Sequence, residues 1–100
     1  MSNTIYTVDD IKKALFPVLN SYNVKKAILF GSYAKGQATE NINIDLLLDS
    51  GLRGLKFIGL IEDVKNILNK NVDVFDVTHI MPNSKISSEI NKYGVVIYQK

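Results

Sequence analysis

The chain has 100 residues, of which 46% are hydrophobic and 22% are charged, and its formal net charge is +2. This composition is typical of a folded globular domain and excludes a disordered or low-complexity protein. The small charge gives no strong signal for nucleic-acid binding, and the absence of cysteine excludes a disulfide framework and a thiolate metal site.

Membrane and export signals are missing from the sequence. No apolar stretch reaches the length of a membrane span, and residues 1–4 are polar and lack the features of a signal peptide. We therefore expect a cytoplasmic protein with no membrane partner. Residues 1–100 are expected to form a single domain, which is compatible with an oligomer.

The predicted elements alternate between helices and strands. Thr7 and Asp10 have the spacing of a capping box and open a helix, which Pro17 is placed to kink. A buried strand follows at residues 27–30, then a short helix around Ala34. The later elements are a strand at 43–48, a helix from about 55 to 70 ended by Asn71, a strand at 71–77, a short helix ending near Tyr93 and a strand at 95–98. The apolar stripe predicted for the helix at 55–70 consists of Ile58, Ile61, Val64, Ile67 and Leu68. This order indicates an α/β domain.

A Gly-Ser turn follows the first predicted strand. Gly31 permits close backbone approach and positive φ, and Ser32 offers a hydroxyl and an N–H near a helix N-terminus, where anions are favoured. Gly-Ser alone is a common turn, so by itself it favours a structural role. In combination with the acids that follow, it predicts a cradle for the phosphates of a triphosphate.

Oxygen-bearing side chains lie in the next two predicted strands. Alternation puts Asn43 and Asp45 on one face of the strand at 43–48. Asp73 joins them if the strand at 71–77 lies beside it, whereas Asp76 is assigned to an edge or a loop. Mg²⁺ prefers carboxylates together with phosphate oxygens and waters, so the cluster predicts a magnesium site.

These motifs resemble those of the minimal nucleotidyltransferases of the DNA polymerase β-like superfamily. Their pattern is Gly-Ser, a short helix ending in Gly, Asp-x-Asp in a strand and a later single Asp. The matching positions are Gly31, Ser32, Gly36, Asp45 and Asp73, and the resemblance covers nearly the whole chain. It implies a single α/β domain in which a mixed sheet of about four strands packs with helices.

The resemblance also implies an activity. It implies transfer of AMP from ATP, with two Mg²⁺ ions, to a hydroxyl of a partner protein, a tyrosine by analogy. The partner would be of the helical HEPN type, with this chain as the antitoxin of a toxin–antitoxin pair. The implied metal-binding and catalytic residues are Asn43, Asp45 and Asp73, and the implied nucleotide-binding residues are Gly31, Ser32, Lys35 and Gly36. For Lys35 a solvated helix position is an equal alternative.

Asn43 departs from the family pattern, which has the first Asp of the pair at this position. An amide keeps one neutral oxygen but loses a charge beside the metal ions, so metal affinity should fall. Three explanations stay open. The chain is a natural relative that is inactive or slow, or it carries an engineered change, or another acid such as Asp49 or Asp76 rescues the site.

Three functions follow from these alternatives. The first is an active Mg²⁺-dependent nucleotidyltransferase. The second is an inactive pseudoenzyme that binds nucleotide or a HEPN-type toxin without chemistry. The third is a structural α/β module in which the turn and the acids have no ligand.

Overall fold

The structure, a computed structural model, describes residues 6–36 and 43–100. Within them the elements follow as α1 (Val8–Ser21), β1 (Lys26–Phe30), β2 (Ile44–Asp49), α2 (Leu55–Leu68), β3 (Val72–Asp76), a 3₁₀ helix (Val77–His79), α3 (Lys85–Tyr93) and β4 (Val95–Gln99). The predicted α/β class is confirmed. None of the helices in these two ranges has the length and apolar character needed to cross a membrane.

The four strands form one mixed sheet in the order β3-β2-β1-β4. β1 pairs antiparallel with β2 and with β4, and β2 pairs parallel with β3. A parallel pair requires a long crossover, and α2 provides it between β2 and β3. The mixed sheet of about four strands implied by the resemblance is confirmed.

The two faces of the sheet differ in what covers them. One face, which we call the core face, packs with α1 and α2 in a single apolar cluster that includes Leu29, Leu46 and Val72. Side chains alternate along strands, so Phe30, Asp45 and their register partners point the other way, on what we call the site face. α3 contacts β1, and the side chain of Ile28, which alternates with Leu29, lies against its C-terminal end.

The capping box predicted for α1 is confirmed. The backbone N–H of Asp10 donates to Thr7 Oγ1, and the backbone N–H of Thr7 donates to Asp10 Oδ2, both at 3.0 Å. Pro17 lies inside α1, as predicted, and three fully buried residues, Ile11, Leu15 and Leu19, face the sheet.

The prediction for α2 was wrong in two details. The helix ends at Leu68 rather than Lys70, because Asn69 takes the left-handed conformation, with φ 51°, and its N–H donates to the carbonyl of Lys65. The buried stripe is Leu60, Val64 and Leu68, whereas Ile58 and Ile67 are exposed. α2 is apolar on more than one side, so its packing against α1 and β3 decides which stripe is buried.

The short helix predicted around Ala34 is replaced by hydrogen-bonded turns over residues 31–36. The N–H of Lys35 donates to the carbonyl of Gly31 at 3.2 Å, and the N–H of Gly36 donates to the carbonyl of Tyr33 at 3.3 Å. Gly36 then takes φ 74°, a left-handed conformation that ends helical winding. We refer to residues 31–36, for which the sequence predicts phosphate binding, as the phosphate turn.

Asp76 ends an edge strand of the sheet, within the edge or loop assignment made from the sequence, but it is buried. It is 3% exposed at the end of β3 and lies on the core face, two positions from Val74. Its Oδ1 accepts from the N–H and hydroxyl of Ser50, and its Oδ2 accepts from the N–H and hydroxyl of Thr78. Burial opposes the charged form, but these hydrogen bonds outweigh it and hold the pKa of Asp76 below its ordinary value.

Neither proposed rescue acid belongs to the predicted metal site. Asp76 is turned to the opposite face from Asp73. Asp49 lies four positions beyond Asp45 in β2, which separates them by about 13 Å along the strand. The structure therefore excludes both of these acids as substitutes for the carboxylate that is absent at position 43.

We predict that Asp76→Asn lowers the free energy of unfolding by about 1–3 kcal/mol, since an amide nitrogen would face two donors in a buried position. Denaturant unfolding at neutral pH measures this change. The matched control, Glu62→Gln on the exposed side of α2, should stay within about 0.5 kcal/mol of the unsubstituted protein. Equal stability of the two variants would contradict a structural role for Asp76.

Candidate active site

Two carboxylates meet on the site face at the start of neighbouring strands. Asp45 of β2 and Asp73 of β3 are register partners in the parallel pair. Asn43 comes one residue before β2, and its Nδ2 donates to Asp73 Oδ2 at 3.4 Å. The structure thus brings together the three side chains that the sequence proposed as metal ligands.

Asp45 is the more perturbed of the two carboxylates. Burial raises its pKa to about 6, and the neighbouring charges of Asp73 and then Glu89 act in the same direction. Two carboxylates in register repel each other when both are ionised. The repulsion is relieved by a proton or by a cation, so the pair is suited to bind a hard cation at neutral pH.

Gly31 joins the phosphate turn to this pair. Its φ is 75°, a conformation that favours glycine, and a Cβ at this position would overlap the carboxylate of Asp45. The backbone of the turn therefore lies directly against Asp45. Ser32 follows Gly31 directly in the chain and is half-buried.

Lys35 contacts α3 rather than being free in solvent. Its Nζ lies 2.9 Å from Glu89 Oε1, and 5.0 Å from the centroid of the Tyr93 ring. The hydrogen bond to Glu89 raises the pKa of Lys35. Lys35 is exposed, as the alternative of a solvated position expects, but it is ion-paired and lies in a turn rather than in a helix.

Sequence reasoning missed Glu89. It lies in a helix more than fifty positions after the turn, and a single acid on an amphipathic helix gives no signal in the sequence. Tyr33, the next residue of the turn after Ser32, is 4% exposed and belongs to the apolar cluster. Its hydroxyl is buried and has no hydrogen-bond partner among the residues that the structure describes.

The donor set is compatible with Mg²⁺. Within residues 6–36 and 43–100, no group of three or more His, Cys, Asp or Glu side chains is arranged to hold a metal ion. Mg²⁺ is commonly held by one or two carboxylates and completes its octahedron with waters and substrate phosphates. Asp45 and Asp73 match that number of carboxylates, and the backbone of the turn at Gly31 lies against Asp45.

The fold and these residues define a class of protein, the small α/β domains in which a glycine turn lies against a pair of strand carboxylates. Comparison with known sequences gives the family. The model of the family described as Polymerase beta, Nucleotidyltransferase matches residues 13–100. The chain belongs to the polymerase β nucleotidyltransferase family, which confirms the resemblance read from the motifs.

Two relatives from Methanocaldococcus jannaschii carry names that mark them, provisionally, as protein adenylyltransferases. MJ0435 is 33% identical over 78 residues, which cover 75% of this chain and 83% of the relative. MJ1215 is 34% identical over 80 residues, which cover 74% of this chain and 93% of the relative. Both alignments therefore span most of each protein.

Solved structures share the fold. A toxin–antitoxin structure with AMP-PNP superposes with a TM-score of 0.71 at 19% identity, covering 89% of this chain and 73% of the other. A Shewanella oneidensis complex of a tri-AMPylated HEPN toxin with an MNT antitoxin gives a TM-score of 0.62 at 18% identity, covering 94% and 74%. At these identities the likeness establishes the fold.

We predict that Gly31→Ala disrupts the site and Gly36→Ala does not. Both glycines have positive φ, so both substitutions should cost about 1 kcal/mol of stability. A Cβ at Gly36 meets nothing within 4 Å, whereas a Cβ at Gly31 overlaps Asp45. Calorimetric titration with Mn²⁺ as a Mg²⁺ analogue should show weaker binding only for Gly31→Ala, and equal loss in both variants would contradict the assignment.

We predict that Asp45 makes stability depend on pH. Its pKa of about 6 in the folded chain exceeds the ordinary 3.8, so folding favours the protonated form. The contribution of Asp45 to the free energy of unfolding is fully present below about pH 4 and is lost as the pH rises through about 6. Denaturant unfolding with EDTA should show this fall in the unsubstituted protein and a flatter profile in Asp45→Asn. Parallel profiles would contradict the assigned pKa.

Proposed function

We propose that the chain is a Mg²⁺-dependent nucleotidyltransferase that transfers AMP from ATP to a hydroxyl of a partner protein. The observation that carries the proposal is the Asp45–Asp73 pair lying against the backbone of the phosphate turn at Gly31. The names of the M. jannaschii relatives support the choice of a protein as acceptor. The AMP-PNP in a structural neighbour supports ATP as the donor.

In this proposal each part of the site has one task. The backbone N–H groups of Gly31 and Ser32, with the Ser32 hydroxyl, bind the β- and γ-phosphates. Asp45 and Asp73 hold Mg²⁺, which when bound supplies positive charge to the phosphates and activates the attacking hydroxyl. Asp45 must lose its proton to do so, so Mg²⁺ binding should weaken below about pH 6.

Asn43 gives the site an unusual charge balance. Its amide N–H donates to Asp73, so in the empty site the amide compensates part of the charge that a cation would compensate. An aspartate at this position would instead add a third negative charge beside Asp73. Asn43 therefore favours a stable empty site and weakens metal binding, which predicts a slow enzyme.

A second candidate function follows from the same hydrogen bond. If the Asn43 amide leaves Mg²⁺ affinity too low for turnover, the chain binds nucleotide or a partner protein without chemistry. In the S. oneidensis neighbour an MNT antitoxin is complexed with a HEPN toxin, and this supports a helical HEPN-type protein as partner in either case. The chain would then act as an antitoxin, by modifying the toxin or by covering it.

The test is transfer of labelled AMP from Mg²⁺-ATP to a co-expressed HEPN-type partner, with Asn43→Asp, Asp73→Asn and Glu62→Gln compared side by side. We expect slow transfer by the unsubstituted protein, and transfer faster by about tenfold or more in Asn43→Asp, which restores a carboxylate to the metal site. Asp73→Asn and added EDTA should abolish transfer, and Glu62→Gln should not change it.

The outcomes separate the candidates. Transfer only after Asn43→Asp would make the chain a disabled nucleotidyltransferase and support the binding function. No transfer by any variant, in samples where the partner co-purifies, would contradict the enzymatic proposal. Transfer that survives Asp73→Asn would contradict the assignment of the carboxylate pair.

A further inference from the structure

The ion pair between Lys35 and Glu89 connects α3 to the phosphate turn. The backbone N–H of Lys35 donates to the carbonyl of Gly31, whose Cα lies against Asp45. The backbone of Lys35 is thus hydrogen-bonded to the residue that lies against Asp45. Its ammonium is held by Glu89 at 2.9 Å and lies over the ring of Tyr93, and the Lys35 and Glu89 side chains are 31% and 32% exposed.

Without Glu89, the ammonium of Lys35 would have other carboxylates to pair with. Asp45 and Asp73 are close to the turn, and the Asn43 amide compensates only Asp73. An ammonium drawn onto this pair would compete with a divalent cation for the same oxygens. Glu89 offers Lys35 a different partner on α3, with its carboxylate 2.9 Å from the ammonium.

The Lys35–Glu89 ion pair is partly exposed, so another anion can easily replace Glu89 as the partner of Lys35. Ion pairs near the surface contribute about 0–1 kcal/mol, so the multiple negative charge of a triphosphate can displace Glu89 as the partner of Lys35. The face of the Tyr93 ring keeps the ammonium near its position during such an exchange, since cations are attracted to aromatic faces.

We propose that Glu89 is a positioning residue that reserves the Lys35 ammonium for the phosphates of the nucleotide and keeps it off the Asp45–Asp73 pair. The inference rests on the proposed function, because it assumes that a nucleotide with its cation binds at this site. It deepens that function by making α3 part of the nucleotide site.

The direction in which Glu89→Gln changes nucleotide affinity separates this role from a simple effect of charge. Removing a negative charge near a phosphate site should by itself tighten the binding of an anion. If Glu89 positions Lys35, Glu89→Gln should instead weaken the binding of Mg²⁺-AMP-PNP, because the ammonium moves onto the carboxylate pair. The loss should be about three- to fivefold, the scale of an exposed ion pair.

The experiment is calorimetric titration of the full chain with Mg²⁺-AMP-PNP. Glu89→Gln and Lys35→Met should each weaken binding, and the double variant should bind no more weakly than Lys35→Met alone. Glu89→Asp, which keeps the carboxylate, should stay within about twofold of the unsubstituted protein. The matched control is Asp9→Asn, which removes the 3.0 Å pair of Asp9 with Lys13 on α1 and should leave the affinity unchanged.

Each contrary result has a separate meaning. Unchanged or tighter binding by Glu89→Gln, in a titration where the unsubstituted protein binds, would overturn the role of Glu89 alone. If the loss of affinity in the double variant equals the sum of the two single losses, Glu89 acts independently of Lys35. That result would also overturn the positioning role of Glu89. Absence of binding by the unsubstituted protein would overturn the proposed function and this inference with it.

Discussion

The site depends on the parallel, in-register pairing of β2 with β3. That register places Asp45 directly opposite Asp73, and a shift by one residue would turn one carboxylate onto the core face. The core face fixes the register, because Leu46, Leu48 and Val72 of the two strands are buried against α1 and α2. Burial of apolar side chains on one face therefore holds two repelling charges together on the other.

Neighbouring groups compensate these charges without removing them. Asp73 accepts from the Asn43 amide, and Asp45 binds a proton more readily than an ordinary carboxylate does, whereas Lys35 pairs with Glu89 instead. Under the proposed function, a cation would replace the proton on Asp45, and a phosphate would replace Glu89 as the partner of Lys35.

The sequence predicted the elements that local patterns determine. The alternation of apolar and polar residues predicted the strands and placed Asp45 and Asp73 on one face of the sheet. The spacing of Thr7 and Asp10 predicted the start of α1. The features that depend on packing were not predictable. The sequence assigned Asp76 to an edge or a loop, but its carboxylate is buried and accepts hydrogen bonds from Ser50 and Thr78. The buried stripe of α2 depends on how this helix packs against α1 and β3. Glu89 reaches Lys35 only through the docking of α3 on β1, which no local pattern records.

The central claim is that the phosphate turn and the carboxylate pair form one binding site for a nucleotide with its cation. An NMR titration of ¹⁵N-labelled protein with Mg²⁺-AMP-PNP tests it residue by residue. We predict that the largest shifts of amide signals occur at Gly31, Ser32 and Asp73. The apolar groove of about 300 Å³ around Phe16 and Val96, at the β4 edge of the sheet, serves as an internal control. Shifts concentrated there, or no shifts at saturating nucleotide, would contradict the claim.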